Sequence, residues 1–125
     1  RRRKPRGCVV VNKSTVPVGT ARWLGDVLRE HGVTDVGVAS NPDFLPQGNA
    51  LETARKPDRV VVGADRPQCF RTLRQVYRRF IDKVRYIETT SENAEAATHL
   101  MVSGSPSAAA SLEASPGWCS VSRSA

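Results

Sequence analysis

The 125-residue sequence predicts an α/β domain with a largely parallel sheet, and three observations carry that reading. Short β-rich apolar runs, among them Val9–Val11 and Val60–Val62, alternate with longer stretches of helical periodicity. Strands that alternate with helices bury their apolar faces best as stacked layers. Polar, turn-forming residues follow two of the apolar runs, at Lys13–Pro17 and at Ser40–Gly48.

Each element can be justified in order. Cys8–Val11 is uniformly apolar and is expected to be a strand buried on both faces. Thr20 can cap a helix reaching about Gly32, in which Ala21, Leu24, Val27, Leu28 and His31 recur at helical spacing and Gly32 is a natural stop. Val36–Ala39 is a second strand, and Ser40–Lys56 reads mainly as loop. Arg59–Gly63 is a third strand. Pro67 opens an amphipathic helix with Phe70, Leu73, Val76, Tyr77, Phe80 and Ile81 on one stripe and Arg71, Arg74, Arg78 and Arg79 elsewhere. Val84–Ile87 is a fourth strand. Thr89, Thr90 and Ser91 offer hydroxyl caps for a helix from near Glu92 to at least Met101, and Glu92 suits the positive end of its dipole. After Val102 the chain turns to Ser, Ala, Pro and Gly with weak periodicity, which reads as disordered or loosely ordered.

Composition narrows the function classes. Hydrophobic residues make up 39% and charged residues 25%, enough for one core. No apolar stretch approaches the ~20 residues of a membrane span, so no membrane partner is expected. No signal peptide is evident, and the odd set Cys8, Cys69 and Cys119 fits reduced thiols in a cytoplasm. Cys8 and Cys69 are expected to be buried small apolar groups. No CxxC occurs and His31 and His99 lie far apart, so no metal site is expected. The net charge is +7, with Arg1, Arg2, Arg3, Lys4 and Arg6 forming a basic arm. No aromatic interleaves with it, so it reads as a solvated tail and a nucleic-acid partner is not expected.

In a doubly wound sheet, ligands bind beyond the carboxyl ends of the strands. The Ser14 and Thr15 hydroxyls can donate and accept there, and Asn41 and Asp43 add an amide and a carboxylate on a Pro-stiffened turn. Each segment alone reads equally as a cap or a turn.

Their combination is more specific. STVPVGTA, SNPDFLPQG, KPDRVVVGAD and TTSENAEAA occur in that order between Cys8 and Met101. This resembles the UDP-glucose/GDP-mannose dehydrogenase family, and PDRVVVG is similar to its UDP-glucose branch. The resemblance implies a partial Rossmann-like, doubly wound domain that leads into a central helix. It also implies NAD as cofactor, UDP-glucose as substrate, and a two-step oxidation of the C6 alcohol to a carboxylate. By resemblance, Thr15 holds a water near the reacting carbon and Ser14, Thr15 and Val16 lie against NAD. Asp43 matches the acid/base glutamate, Phe44, Leu45, Pro46 and Gln47 match the backbone that cradles the substrate, and Gln47 matches a second glutamate near the nicotinamide. For an intact member, though not for this fragment, the resemblance also implies a homodimer formed through the central helix.

Departures are as specific as the matches. Asp43 is one methylene shorter than glutamate, and Gln47 lacks the charge. Thr98 and Val102 stand where the family has a catalytic lysine and an asparagine. No GxGxxG occurs, and PGWCSVS around Cys119 does not match the Gly-rich segment of the nucleophilic cysteine. The expectation is a fragment without turnover of its own: residues 1–7 a basic arm, 8–90 the C-terminal part of the NAD-binding domain, 91–103 the start of the central helix, and 104–125 a low-complexity tail. The alternative is a non-catalytic α/β module that binds a nucleotide or an acidic partner. The lysine, the cysteine and the Gly-rich loop discriminate the two, because only an enzyme needs them.

Overall fold

The structure is a computed structural model that describes residues 7–43, 59–102 and 119–120. Strand β1 (Cys8–Asn12) leads to helix α1 (Thr20–Glu30) and strand β2 (Val36–Ser40). Strand β3 (Arg59–Ala64), helix α2 (Pro67–Tyr77), strand β4 (Arg85–Thr89) and helix α3 (Ser91–Val102) follow, and β5 (Cys119–Ser120) is a short final strand. The expected strands and helices are therefore present. Residues 1–6 of the expected arm lie outside the described residues, as does most of the tail, but Cys119 and Ser120 pair with β4.

The sheet order is β1-β2-β3-β4-β5. The longer pairings are parallel: β1 with β2 in the register Cys8↔Val36, and β3 with β4 in the register Arg59↔Arg85. Between them, β2 and β3 pair antiparallel only through Ala39↔Ala64 and Ser40↔Gly63. Antiparallel neighbours need no helical crossover. The two parallel pairs consequently point their carboxyl ends in opposite directions.

Side-chain alternation along β3 sorts the layers. Val60, Val62 and Ala64 face one way and join Ala39, Tyr86 and the α2 residues Cys69 and Leu73 in one core. Val61 faces the other way and packs with Ile87 and with Ala94 of α3. Helices thus cover both faces of the sheet. Leu73 is nearly inaccessible, and truncating such a side chain to alanine costs about 2–5 kcal/mol. Arg74 ties α2 to β4 with two bonds to Glu88, Nε to Oε1 at 2.6 Å and Nη2 to Oε2 at 2.5 Å.

Four local expectations are corrected. β1 stands at one edge of the described sheet, so Val10 is 37% exposed rather than buried. Cys8 is exposed for the same reason, whereas Cys69 is buried as expected. α2 ends at Tyr77, and turns closed by Phe80 N–H to Tyr77 O and Val84 N–H to Phe80 O follow. Val76 is exposed although it lies within the helix, and beyond its end Phe80 is exposed while Ile81 packs on the core. Finally, Thr20 does not cap α1. Gly19 holds the N-cap position at φ 98°, where a side chain would be strained, and Thr20 Oγ1 turns back to Pro17 O at 2.6 Å. At the other end, Gly32 N–H to Arg29 O and Val33 N–H to Leu28 O close α1 as expected.

Burial pushes the Cys69 thiol above its ordinary value of 9.0, so the reactive thiolate is suppressed. Iodoacetamide should modify Cys8 in the folded chain and reach Cys69 only after unfolding, read by peptide mass spectrometry. Rapid native labelling of Cys69 would show that the packing of α2 on β2 is open.

Candidate functional site

The carboxyl ends of β1 and β2 lie side by side, because Asn12 pairs with Ser40. Asn12 Oδ1 accepts the Ser14 N–H at 3.1 Å, a side-chain turn that bends the chain off the strand. Ser14 and Thr15 stand exposed on that turn, and Val16 is half-buried. Among the described residues, neither hydroxyl has a protein partner, so both are available to a ligand.

The β2 exit is fixed by Asn41. Its N–H donates to Asn12 O at 2.9 Å, its Nδ2 to Val61 O at 2.9 Å, and its Oδ1 accepts the Tyr77 hydroxyl at 2.5 Å. With its polar atoms bonded, this amide can be buried without penalty. Pro42 then carries the chain to Asp43, whose N–H reaches Lys13 O at 3.4 Å.

Lys13 joins the two turns. Its ammonium lies 2.7 Å from Asp43 Oδ1, 3.2 Å from Asn41 Oδ1 and 3.3 Å from the Tyr77 hydroxyl. An ammonium has three donors, and these acceptors use them all. Partial burial works against its charge. The hydrogen bond to Asp43 and the nearby Tyr77 hydroxyl outweigh this and hold Lys13 above its ordinary value of 10.5. Lys13 is therefore a fixed cation that orients Asp43.

Helix α3 braces the same region. The buried Glu95 carboxylate accepts Gly19 N–H at 2.7 Å, Ala21 N–H at 2.8 Å and the Ser40 hydroxyl at 3.0 Å. His99 Nε2 lies 2.8 Å from Val16 O, and Arg22 pairs with Glu92. Thr98 is buried, and its hydroxyl donates to Ala94 O at 3.2 Å within the helix.

Ser14, Thr15, Val16 and Asp43 thus gather at the carboxyl ends of β1 and β2. Phe44, Leu45, Pro46 and Gln47 lie outside the described residues. Sequence reasoning missed Lys13, Tyr77, Glu95 and His99. Lys13 lies inside the quoted turn, and its distance from Asp43 in sequence hid the pairing. Tyr77 sits on an apolar stripe, which signals core alone. A separate cleft of about 270 Å³ is lined by Arg22, Asp26, Arg29, Asp65, Arg66 and Ser91, among others. None of Ser14, Thr15, Val16 and Asp43 lines it, so it is distinct from the site. Among the described residues no cluster of metal ligands occurs, and no helix is long and apolar enough to cross a membrane.

Known proteins resemble this chain in sequence and in fold. The chain is 46% identical over 81 residues to UDP-glucose 6-dehydrogenase of Pseudomonas aeruginosa, covering 61% of this chain and 18% of that protein. It is 52% identical over 58 residues to UDP-glucose 6-dehydrogenase of Rhizobium meliloti, covering 46% of this chain and 13% of that one. A UDP-glucose dehydrogenase from Pyrobaculum islandicum superposes with a TM-score of 0.65 at 35% identity, over 74% of this chain and 22% of that chain. GDP-mannose dehydrogenase from Pseudomonas aeruginosa gives a TM-score of 0.67 at 30% identity, over 79% and 23%. The chain therefore spans less than a quarter of each of these relatives. The profile of the UDP-glucose/GDP-mannose dehydrogenase family, NAD binding domain, matches residues 2–81, and this chain belongs to that family.

Proposed function

We propose that this chain is the part of an NAD-dependent UDP-glucose 6-dehydrogenase that carries its threonine and acid/base turns. The observation that carries the reading is the meeting of the Ser14–Val16 turn and Asp43 at the carboxyl ends of β1 and β2. The exposed Ser14 and Thr15 hydroxyls, free of partners among the described residues, suit a nicotinamide nucleotide and a bound water. NAD would supply the hydride acceptor for each oxidation of C6. Thr15 would hold a water near that carbon, and the Asp43 carboxylate, aimed by Lys13, would move protons at the C6 oxygen. Phe44, Leu45, Pro46 and Gln47 would cradle the sugar nucleotide.

Residues 8–90 would then belong to the NAD-binding domain and 91–103 to the start of the central helix, along which any homodimer would form. The free thiols of Cys8 and Cys69 favour a reducing, cytoplasmic setting. A nucleic-acid partner has no support from the basic arm. With no GxGxxG, Thr98 for lysine and no matching cysteine segment, the chain alone should not reduce NAD with UDP-glucose.

The test is a graft. Residues 8–97 replace the corresponding stretch of the Pseudomonas aeruginosa enzyme, whose own glycine fingerprint, lysine and cysteine remain. NADH formation from UDP-glucose should persist, and Asp43→Glu should raise kcat by up to about 100-fold, the cost of a ~1 Å misplacement. An inactive, folded graft that Asp43→Glu does not rescue overturns the reading.

A further inference from the structure

Glu95 is 2% exposed, and among the described residues no cation lies within ion-pair distance of it. A carboxylate buried this way is costly unless donors surround it. Its three donors come from two other elements: the amides of Gly19 and Ala21 at the start of α1, and the Ser40 hydroxyl at the end of β2. The amides are the orphan donors of a helix N-terminus, where a negative charge is favoured. Gly19, lacking a side chain, cannot cap them itself. One turn along α3, His99 Nε2 donates to the Val16 carbonyl. Every anchor point borders a site segment. Val16 and Gly19 follow Thr15, and Ser40 precedes Asn41 and Asp43.

We infer that Glu95, assisted by His99, is a positioning residue that fixes the Thr15 turn against the β2 exit. α3 thereby sets where the threonine hydroxyl and the Asp43 carboxylate stand relative to one another. The role of what is positioned rests on the dehydrogenase reading; the brace itself does not. A purely space-filling role would be met by an apolar side chain of similar size, which would leave the Gly19 and Ala21 amides unbonded.

Amide hydrogen exchange and chemical shifts in the ¹⁵N-labelled full chain test the brace. Glu95→Gln keeps the volume but loses the charge and one acceptor. Exchange at Gly19 and Ala21 should accelerate at least about tenfold, as expected for lost bonds to a charged group. Thr15 and Val16 resonances should shift, while exchange at Val61 and Ile87 stays near wild type. His99→Ala, at an exposed position, should shift Thr15 and Val16 and leave Gly19 and Ala21 protected. Protection that falls uniformly in Glu95→Gln, or Thr15 and Val16 resonances that do not move, would overturn the inference. Should Glu95→Gln fail to fold, Ser40→Ala and His99→Ala probe the same anchors, and an unmoved Thr15 turn in both overturns it equally. No cofactor or substrate enters these measurements. An inactive graft with an intact brace would retire the dehydrogenase reading alone.

Discussion

Lengthening the graft from residues 8–97 to 8–102 should lower turnover by about 100–1,000-fold, the cost of losing one preorganised charge stabiliser. Thr98→Lys together with Val102→Asn in the longer graft should restore most of it. Thr98 lies one turn beyond Glu95, on the stripe of α3 that reaches Ser40 and Gly19. Its hydroxyl is occupied by Ala94 O within its own helix, so it offers neither charge nor a free donor. A lysine at this position would extend from the same stripe toward the carboxyl ends of β1 and β2, where an oxyanion would form at C6. The signature is a fall in kcat with KM for UDP-glucose and NAD nearly unchanged, because the missing group acts in the transition state. A longer graft as active as the shorter one, or no gain from the double replacement, would remove Thr98 from the reasons to expect no turnover from the chain alone.

The contrast between Thr98 and Glu95 shows where sequence is legible. Both sit in TTSENAEAATHL, where Thr89, Thr90 and Ser91 all read as candidate caps, and the structure selects Thr90, whose Oγ1 accepts the Asn93 N–H at 3.2 Å. The partner of Glu95 is another matter. Gly19 is separated from it by 76 residues and Ala21 by 74, and no local pattern can reveal that a distant carboxylate caps α1 in place of Thr20. Strand positions were readable because β-rich runs are local; the exposure of Val10 was not, because burial depends on which strand lies alongside. Tyr77 shows the same limit within one side chain. Its ring packs against Tyr86 with centroids 6.2 Å apart, as its place on the stripe predicts, yet its hydroxyl completes the Lys13–Asn41 cluster. Ordered motifs single out Asp43 and Thr15 as candidates, whereas Lys13 needs the β1–β2 register to bring it to Asp43.

Gly63→Ala should destabilise the chain by about 3 kcal/mol or more, beyond the usual range for overpacking. The added Cβ would stand 2.5 Å from Thr90 O, 2.5 Å from Ala94 Cβ and 2.8 Å from Ser91 Cα. Two of these atoms are backbone at the start of α3, so no flexible side chain can yield. The helix itself must move off β3, opening the packing of Val61 against Ala94 and stretching the bonds that Glu95 makes across the sheet end. For a domain of this size the melting temperature should fall by about 10–20 °C. Gly25→Ala supplies the opposite sign. Its Cβ would meet nothing closer than Arg29 Nη1 at 3.9 Å, and alanine inside α1 should stabilise by about 1 kcal/mol. Because both substitutions add one methyl group, composition cannot explain a difference between them. A melting temperature that rose for Gly63→Ala as it should for Gly25→Ala would mean that α3 does not press on β3 at Gly63.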